Sequence, residues 1–189
     1  MKVGILGGSF DPPHFGHLLL ARQTREIFGL DEVWLMPYFA HSWDPTLSPA
    51  EDRLAMARLI EEPGIVVSEE ETGEKAVNYT IDTVRRLKAK HKHEFFWIVG
   101  SDILDEFERW KDHEVLSREV PFLVFPRNGY PASSSLPPGF RLIDSHDIIT
   151  SNISSTIVRK RLQKQHSVVG LVPESVLAYI SKHKLYDTR

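Results

Sequence analysis

Gly7-Gly8-Ser9-Phe10-Asp11-Pro12-Pro13-His14-Phe15-Gly16-His17 follows a short apolar run, residues 3–6, and leads into a helical pattern that extends to residue 28. A glycine-rich turn between a strand and a helix aims unpaired backbone N–H groups at one spot. That spot lies at the positive end of the helix dipole, so the turn makes a phosphate site. His14 and His17 start the helix one turn apart and face the same side. The glycine spacing is neither GxGxxG nor GxxxxGK[ST]. A tight turn carrying two surface histidines is the alternative, and Asp-Pro-Pro-His together with Gly-His weighs against it.

Working outward, apolar strand-like runs alternate with helical patterns, which predicts βαβ units and a parallel sheet. Gly29 closes the first helix, 33–36 is a second strand ended by Pro37, and 38–47 is a loop. Ser48-Pro49-Ala50-Glu51 reads as a capping box opening a helix to about residue 61, followed by a strand at 65–67. Thr80 is placed to cap a helix whose Ile81, Val84 and Leu87 form an apolar stripe. Residues 95–99, Phe-Phe-Trp-Ile-Val, are the candidate central strand, and Gly100-Ser101-Asp102 stands at its C-terminal end, where ligands collect in open α/β sheets. Two short helices at 103–110 and 113–118, a strand at 121–125, and a loop at 126–139 follow. A last strand is expected at 141–143 and 146–149, then helices at 153–163 and 173–182. The expected fold is α/β, a Rossmann-like parallel sheet flanked by helices with a small helical C-terminal portion, forming one domain over residues 1–189.

Composition narrows the function. A length of 189 residues gives room for a substantial core, and the 41% hydrophobic and 26% charged content is that of a globular protein. The net charge of −3 argues against a dedicated nucleic-acid binder. The absence of cysteine excludes disulfides, thiolate catalysis and thiolate metal sites. No run is long enough for a membrane span and there is no signal-peptide pattern, so a cytoplasmic location is expected. No HExxH or comparable spacing points to a protein-held metal.

Three further clusters carry chemistry. Ser154, Ser155 and Thr156 open a helix, with Arg159 one turn beyond Ser155 on the same face; this is an anion site or an ordinary N-cap with a solvated arginine. Gly100 would admit a ligand to the backbone and Asp102 could accept ribose hydroxyls, or else cap the next helix. Trp110 lies in the charged run Glu108-Arg109-Trp110-Lys111, and is a core residue or a stacking platform.

The opening stretch resembles the signature of the nucleotidyltransferase superfamily, which holds adenylyltransferases and class I aminoacyl-tRNA synthetases. Within it the chain is most similar to the nicotinate-nucleotide adenylyltransferase family. The resemblance implies AMP transfer from ATP to nicotinate mononucleotide, giving deamido-NAD and pyrophosphate in NAD biosynthesis. It implies an ATP site of Gly7, Gly8, Ser9, Phe10, His14, His17, Gly100, Asp102, Ser154, Ser155, Thr156 and Arg159, with His14, His17 and Arg159 as the catalytic set. It also implies a mononucleotide site of Trp110, which stacks on the pyridine ring, with Thr80, His41 and Arg127. Mg²⁺ is expected through ATP, with no metal held by protein alone. Expected partners are ATP and a pyridine mononucleotide, with no nucleic acid or membrane; a homo-oligomer stays open.

One departure bears on the acceptor. The family pattern Pro-Pro-His-Lys is replaced by Phe39-Ala40-His41-Ser42-Trp43-Asp44, with no lysine after His41 and with Arg53 and Arg58 as candidate substitutes. Nicotinamide mononucleotide and phosphopantetheine are the other acceptors, and a non-catalytic nucleotide sensor is the alternative of another class.

Overall fold

The computed structural model describes residues 1–39, 47–73, 78–127, 129–130, 136–143 and 148–186. In chain order the elements are β1 (Lys2–Gly8), α1 (Phe15–Phe28), β2 (Glu32–Pro37), α2 (Ala50–Arg58), β3 (Ile65–Val67), α3 (Thr80–Lys90) and β4 (Glu94–Gly100). Then come α4 (His113–Glu119), β5 (Phe122–Phe125), β6 (Phe140–Leu142), α5 (Ser155–Gln163) and α6 (Glu174–His183). Two 3₁₀ turns, Ser101–Ile103 and Phe107–Arg109, lie between β4 and α4.

The strands form one six-stranded sheet in the order β3-β2-β1-β4-β5-β6. Every pairing is parallel, with Ile5 of β1 opposite Trp34 on one side and Trp97 on the other. Side chains alternate across the sheet, as the strand period requires. Val3 and Ile5, with Phe95, Trp97 and Val99, face the layer of α3 and α4, where Ile81, Val84, Leu87 and Leu116 are buried. Leu6, Phe96, Ile98 and Leu123 face the opposite layer, packed by Leu18, Ala21, Met56, Val158, Val176 and Ile180 of the other four helices. The all-apolar run of β4 is therefore explained by burial on both faces.

The order of the strands places the site. From β1 the chain winds outward through β2 to β3, then returns to the other side of β1 as β4. The turns after β1 and β4 thus diverge at the switch point of a doubly wound sheet, where a crevice opens at the strand C-termini. Gly29, left-handed at φ 58°, ends α1 as expected.

Several local expectations are corrected. Pro49, not Ser48, is the N-cap of α2, and no side-chain cap bond forms; the Ser48 N–H is drawn instead to the Asp11 carboxylate at 3.2 Å. Tyr79, not Thr80, precedes α3, and Thr80 is its first residue. The segment 103–110 holds 3₁₀ turns rather than a helix, and among the described residues the last strand is Phe140–Leu142. Residues 144–147 fall outside the described residues, and Ile149 is held in non-strand backbone by the Gln23 side-chain amide, at 2.7 Å and 3.0 Å.

Candidate active site

The chain leaves β1 at Gly8 and turns through Phe10, whose backbone is left-handed at φ 50° and whose ring is fully buried. Burying a bulky side chain in that conformation pins the turn, because tertiary packing must outweigh the local strain. Beneath it lies a polar network. Arg53, 1% exposed, donates to the carbonyls of Ser48 (3.0 Å), Ser9 (3.0 Å), Tyr38 (2.8 Å) and Phe39 (2.6 Å). One guanidinium thereby ties the turn after β1 to the end of β2 and the start of α2. Asp11 is fully buried beside it, accepting from the Ser48 N–H and from the Tyr186 hydroxyl at 2.6 Å.

His14 and His17 sit at the start of α1 with their rings stacked, centroids 3.7 Å apart. His17 Nδ1 accepts the His14 backbone N–H at 3.2 Å, so a neutral His17 carries its proton on Nε2. Burial lowers the His14 pKa to about 4, and the positive charge of Arg127 adds to the effect. The His17 pKa lies well below its ordinary value, through burial first and then the neighbouring His14 and Arg127 charges. Burial therefore favours the neutral form of both imidazoles.

The N-terminus of α5 closes over the same turn. Ser154 Oγ accepts the Ile157 N–H at 3.2 Å, so the N-cap reading holds for that residue. Ser155 Oγ donates to the Pro12 carbonyl at 2.9 Å, and Arg159 Nη1 donates to the Asp11 carbonyl at 2.7 Å. The expected shared face of Ser155 and Arg159 is present, directed at the turn that holds the histidines. Thr156 is exposed.

Across the switch point, Gly100 leads into Ser101 and Asp102. A Cβ on Gly100 would come 2.2 Å from Asp102 Oδ1 and 2.6 Å from Arg127 Cδ, so these two side chains close over the glycine. Asp102 Oδ2 accepts from Arg127 Nη1 at 2.6 Å, while its Oδ1 is buried without a partner among the described residues. Asp102 caps nothing; Gly100 is the cap of the 3₁₀ turn. The Ser101 hydroxyl donates to the Tyr130 carbonyl at 2.6 Å and accepts the Arg127 N–H at 2.8 Å, fixing the Arg127 backbone. A cleft of about 300 Å³ lies among Asp102, Arg127, Tyr130, Ser151 and Asn152.

Of the other residues predicted to touch a mononucleotide, Thr80 and Trp110 lie on the side of α3. Thr80 is at the first turn of α3, where backbone N–H groups lack intrahelical partners. Lys111 pairs with Asp82 at 2.8 Å and its ammonium sits 4.8 Å from the Tyr79 ring centroid, drawing the segment of Trp110 against that helix start. Trp110 is half-buried, its ring 5.7 Å from Phe107 and 6.3 Å from Phe122, so it packs at the edge of the apolar core with part of its surface exposed. His41 lies outside the described residues. Neither candidate substitute for the missing lysine is available: Arg53 is buried against carbonyls, and Arg58 is paired with Glu69 on the surface.

Sequence reasoning missed Asp11 as a buried hub, and also Tyr186, Tyr130, Ser151 and Asn152, while Arg53, named as a substitute cation, is instead a buried structural residue. A carboxylate followed by two prolines in the key turn was a usable signal for Asp11. The others arrive from distant positions in the chain and leave no local mark.

A parallel sheet of this order, with a Gly-Gly turn and a histidine pair at its switch point, defines a Rossmann-like nucleotidyltransferase. Relatives agree in their names. A Salinibacter ruber protein named "Probable nicotinate-nucleotide adenylyltransferase" is 39% identical, the alignment covering 98% of each chain. One of the same name from Oceanobacillus iheyensis is 36% identical over 98% of this chain and 96% of its own. The chain belongs to the cytidylyltransferase-like family, whose model matches residues 5–161, and within it to the nicotinate-nucleotide adenylyltransferases. In fold it is similar to Plasmodium falciparum nicotinic acid mononucleotide adenylyltransferase complexed with NaAD, with a TM-score of 0.86 at 23% identity over 100% of this chain and 98% of that one.

Proposed function

We propose that this chain joins the AMP of ATP to nicotinate mononucleotide, forming deamido-NAD and releasing pyrophosphate. The observation that carries the reading is the stacked His14–His17 pair at the switch point, with its tautomer set by the His14 N–H and with Arg127 and the start of α5 beside it. Names of relatives at 36–39% identity over nearly full length support the same acceptor.

The acceptor phosphate is already ionised at neutral pH, so it needs no general base. It attacks the α-phosphorus in line; one P–O bond forms as the bond to the pyrophosphate oxygen breaks. Catalysis is then positioning and charge stabilisation. His17, donating from Nε2, stabilises charge at the α-phosphate and on the departing pyrophosphate, with His14 beside it. Backbone N–H groups from Gly8 to Phe10 lie against the phosphates, and Ser155 and Arg159 hold the β and γ groups. The unpartnered Oδ1 of Asp102 accepts a ribose hydroxyl of the adenosine.

On the acceptor side, the N–H groups at Thr80 receive the nicotinate carboxylate and Trp110 offers its free face to the pyridine ring. Arg127 is the cation of this half, which answers the missing lysine, because its charge already reaches both histidines. Among the described residues no group of three or more histidines, aspartates or glutamates could hold a metal. Mg²⁺ would be brought by the triphosphate, where it neutralises phosphate charge.

The test is pyrophosphate release from Mg-ATP with nicotinate mononucleotide and, in parallel, nicotinamide mononucleotide. Release with strong preference for the acid is the expected result. Preference for the amide would reassign the acceptor, and silence with both would overturn the reaction.

A further inference from the structure

We propose that Tyr186 is a positioning residue for the phosphate turn, acting through Asp11; the inference rests on the reading of that turn as the ATP site. Asp11 lies inside the turn, 175 residues away from Tyr186 in sequence, and the two are joined by a 2.6 Å hydrogen bond from the phenol to Oδ1. The other oxygen, Oδ2, accepts the Ser48 N–H at 3.2 Å and lies 3.6 Å from Arg159 Nη1. Arg159 donates not to this carboxylate but to the carbonyl of the same residue, at 2.7 Å. One buried aspartate thus has both oxygens occupied, and its main chain seats the arginine that grips phosphate.

The segment after α6 is built to deliver the phenol. Lys184 and Tyr186 are left-handed, at φ 52° and 66°, and the Leu185 N–H returns to the Ile180 carbonyl at 3.1 Å. Leu185 and Tyr186 pack against the same core as α1, α2 and α5. Burial, with the Asp11 charge next to it, drives the Tyr186 pKa far above the ordinary tyrosine value, so the hydroxyl keeps its proton and remains a donor. Its donation draws off part of the Asp11 charge. Without it, Oδ1 would lose its phenol donor, and the Arg159 guanidinium, 3.6 Å from Oδ2, is a cation beside the carboxylate. Arg159 would then turn to the carboxylate and away from the ligand, and the turn carrying His14 would lose its anchor.

Tyr179 supplies a matched comparison. It lies on α6 and donates to Asp52 Oδ1 at 2.8 Å, the same phenol-to-carboxylate bond, but Asp52 pairs only with Tyr179 and His183 among the described contacts. A purely structural role predicts that Tyr186→Phe and Tyr179→Phe behave alike.

The experiment measures steady-state kinetics and Mg-ATP affinity by calorimetry for wild type, Tyr186→Phe and Tyr179→Phe, with the thermal midpoint of each. Both variants are expected to lose some stability. Only Tyr186→Phe is expected to raise KM and Kd for ATP, by about tenfold, with KM for nicotinate mononucleotide unchanged. Equal ATP affinity in the two variants, or a rise in both substrates' KM together, would overturn the proposal. If wild type binds Mg-ATP but transfers no AMP, the reaction assignment fails while the affinity comparison still decides the role of Tyr186. If wild type does not bind Mg-ATP, both fall.

Discussion

The two halves of the cleft are held by different kinds of contact. On the phosphate side, Arg53 and Asp11 are buried and bonded to neighbours from five separate segments of the chain. On the proposed acceptor side, the tie is an ion pair open to water, Lys111–Asp82, with side chains 43% and 41% exposed. A buried network fixes one geometry because every broken bond leaves a polar group unpaired, whereas exposed pairs contribute little and rearrange readily. On the proposed function, the half that meets ATP is preorganised and the half that reads the acceptor is adjustable.

The comparison can be broken most severely at Arg53. Arg53→Met leaves four carbonyls unpaired and deprives Asp11 of a compensating charge, so unfolding in urea should show a loss of about 3–5 kcal/mol. A loss below about 1 kcal/mol, the range of an exposed pair, would erase the distinction between the halves. A smaller effect is expected at Trp110. Trp110→Leu keeps apolar volume against Phe107 and Phe122 but removes the indole face, and should raise KM for nicotinate mononucleotide about three- to tenfold with ATP unaffected. An equal rise for ATP would place Trp110 in the shared core rather than at the acceptor.

The smallest effect concerns protons. The ligand-free histidines are held neutral, His14 down to about 4, and a bound triphosphate favours their charged form. The complex therefore holds more protons than the free protein, and affinity for Mg-ATP should rise as pH falls, about twofold from pH 7.5 to 6.5. His14→Asn should reduce the proton uptake seen by calorimetry in buffers of different ionisation enthalpy. Proton release on binding would contradict the assignment.

Much of the scaffold was readable because it rests on local pattern. The span of α1, the two-sided burial of β4 and the stripe Ile81, Val84, Leu87 follow from periodicity and apolar runs. What failed was local chemistry overridden by distant partners. Ser48 has the sequence of a helix cap, yet its N–H belongs to Asp11, thirty-seven positions earlier. Arg53 looks like a solvated helix arginine until β2 and the first turn close over it. Trp110 sits among charges in sequence but beside Phe107 and Phe122 in space. The signature turn disclosed the phosphate site because there the sequence itself forms the binding surface. Tyr186 stayed hidden because its role exists only once α6 has packed.

The most direct measurement is turnover of His17→Ala with Mg-ATP and nicotinate mononucleotide, followed by pyrophosphate release beside the wild-type protein. The preorganised phosphate side predicts a fall in kcat of about 10²–10³ with KM for the mononucleotide little changed. Turnover within about twofold of wild type, less than any loss of transition-state charge stabilisation would give, would contradict it.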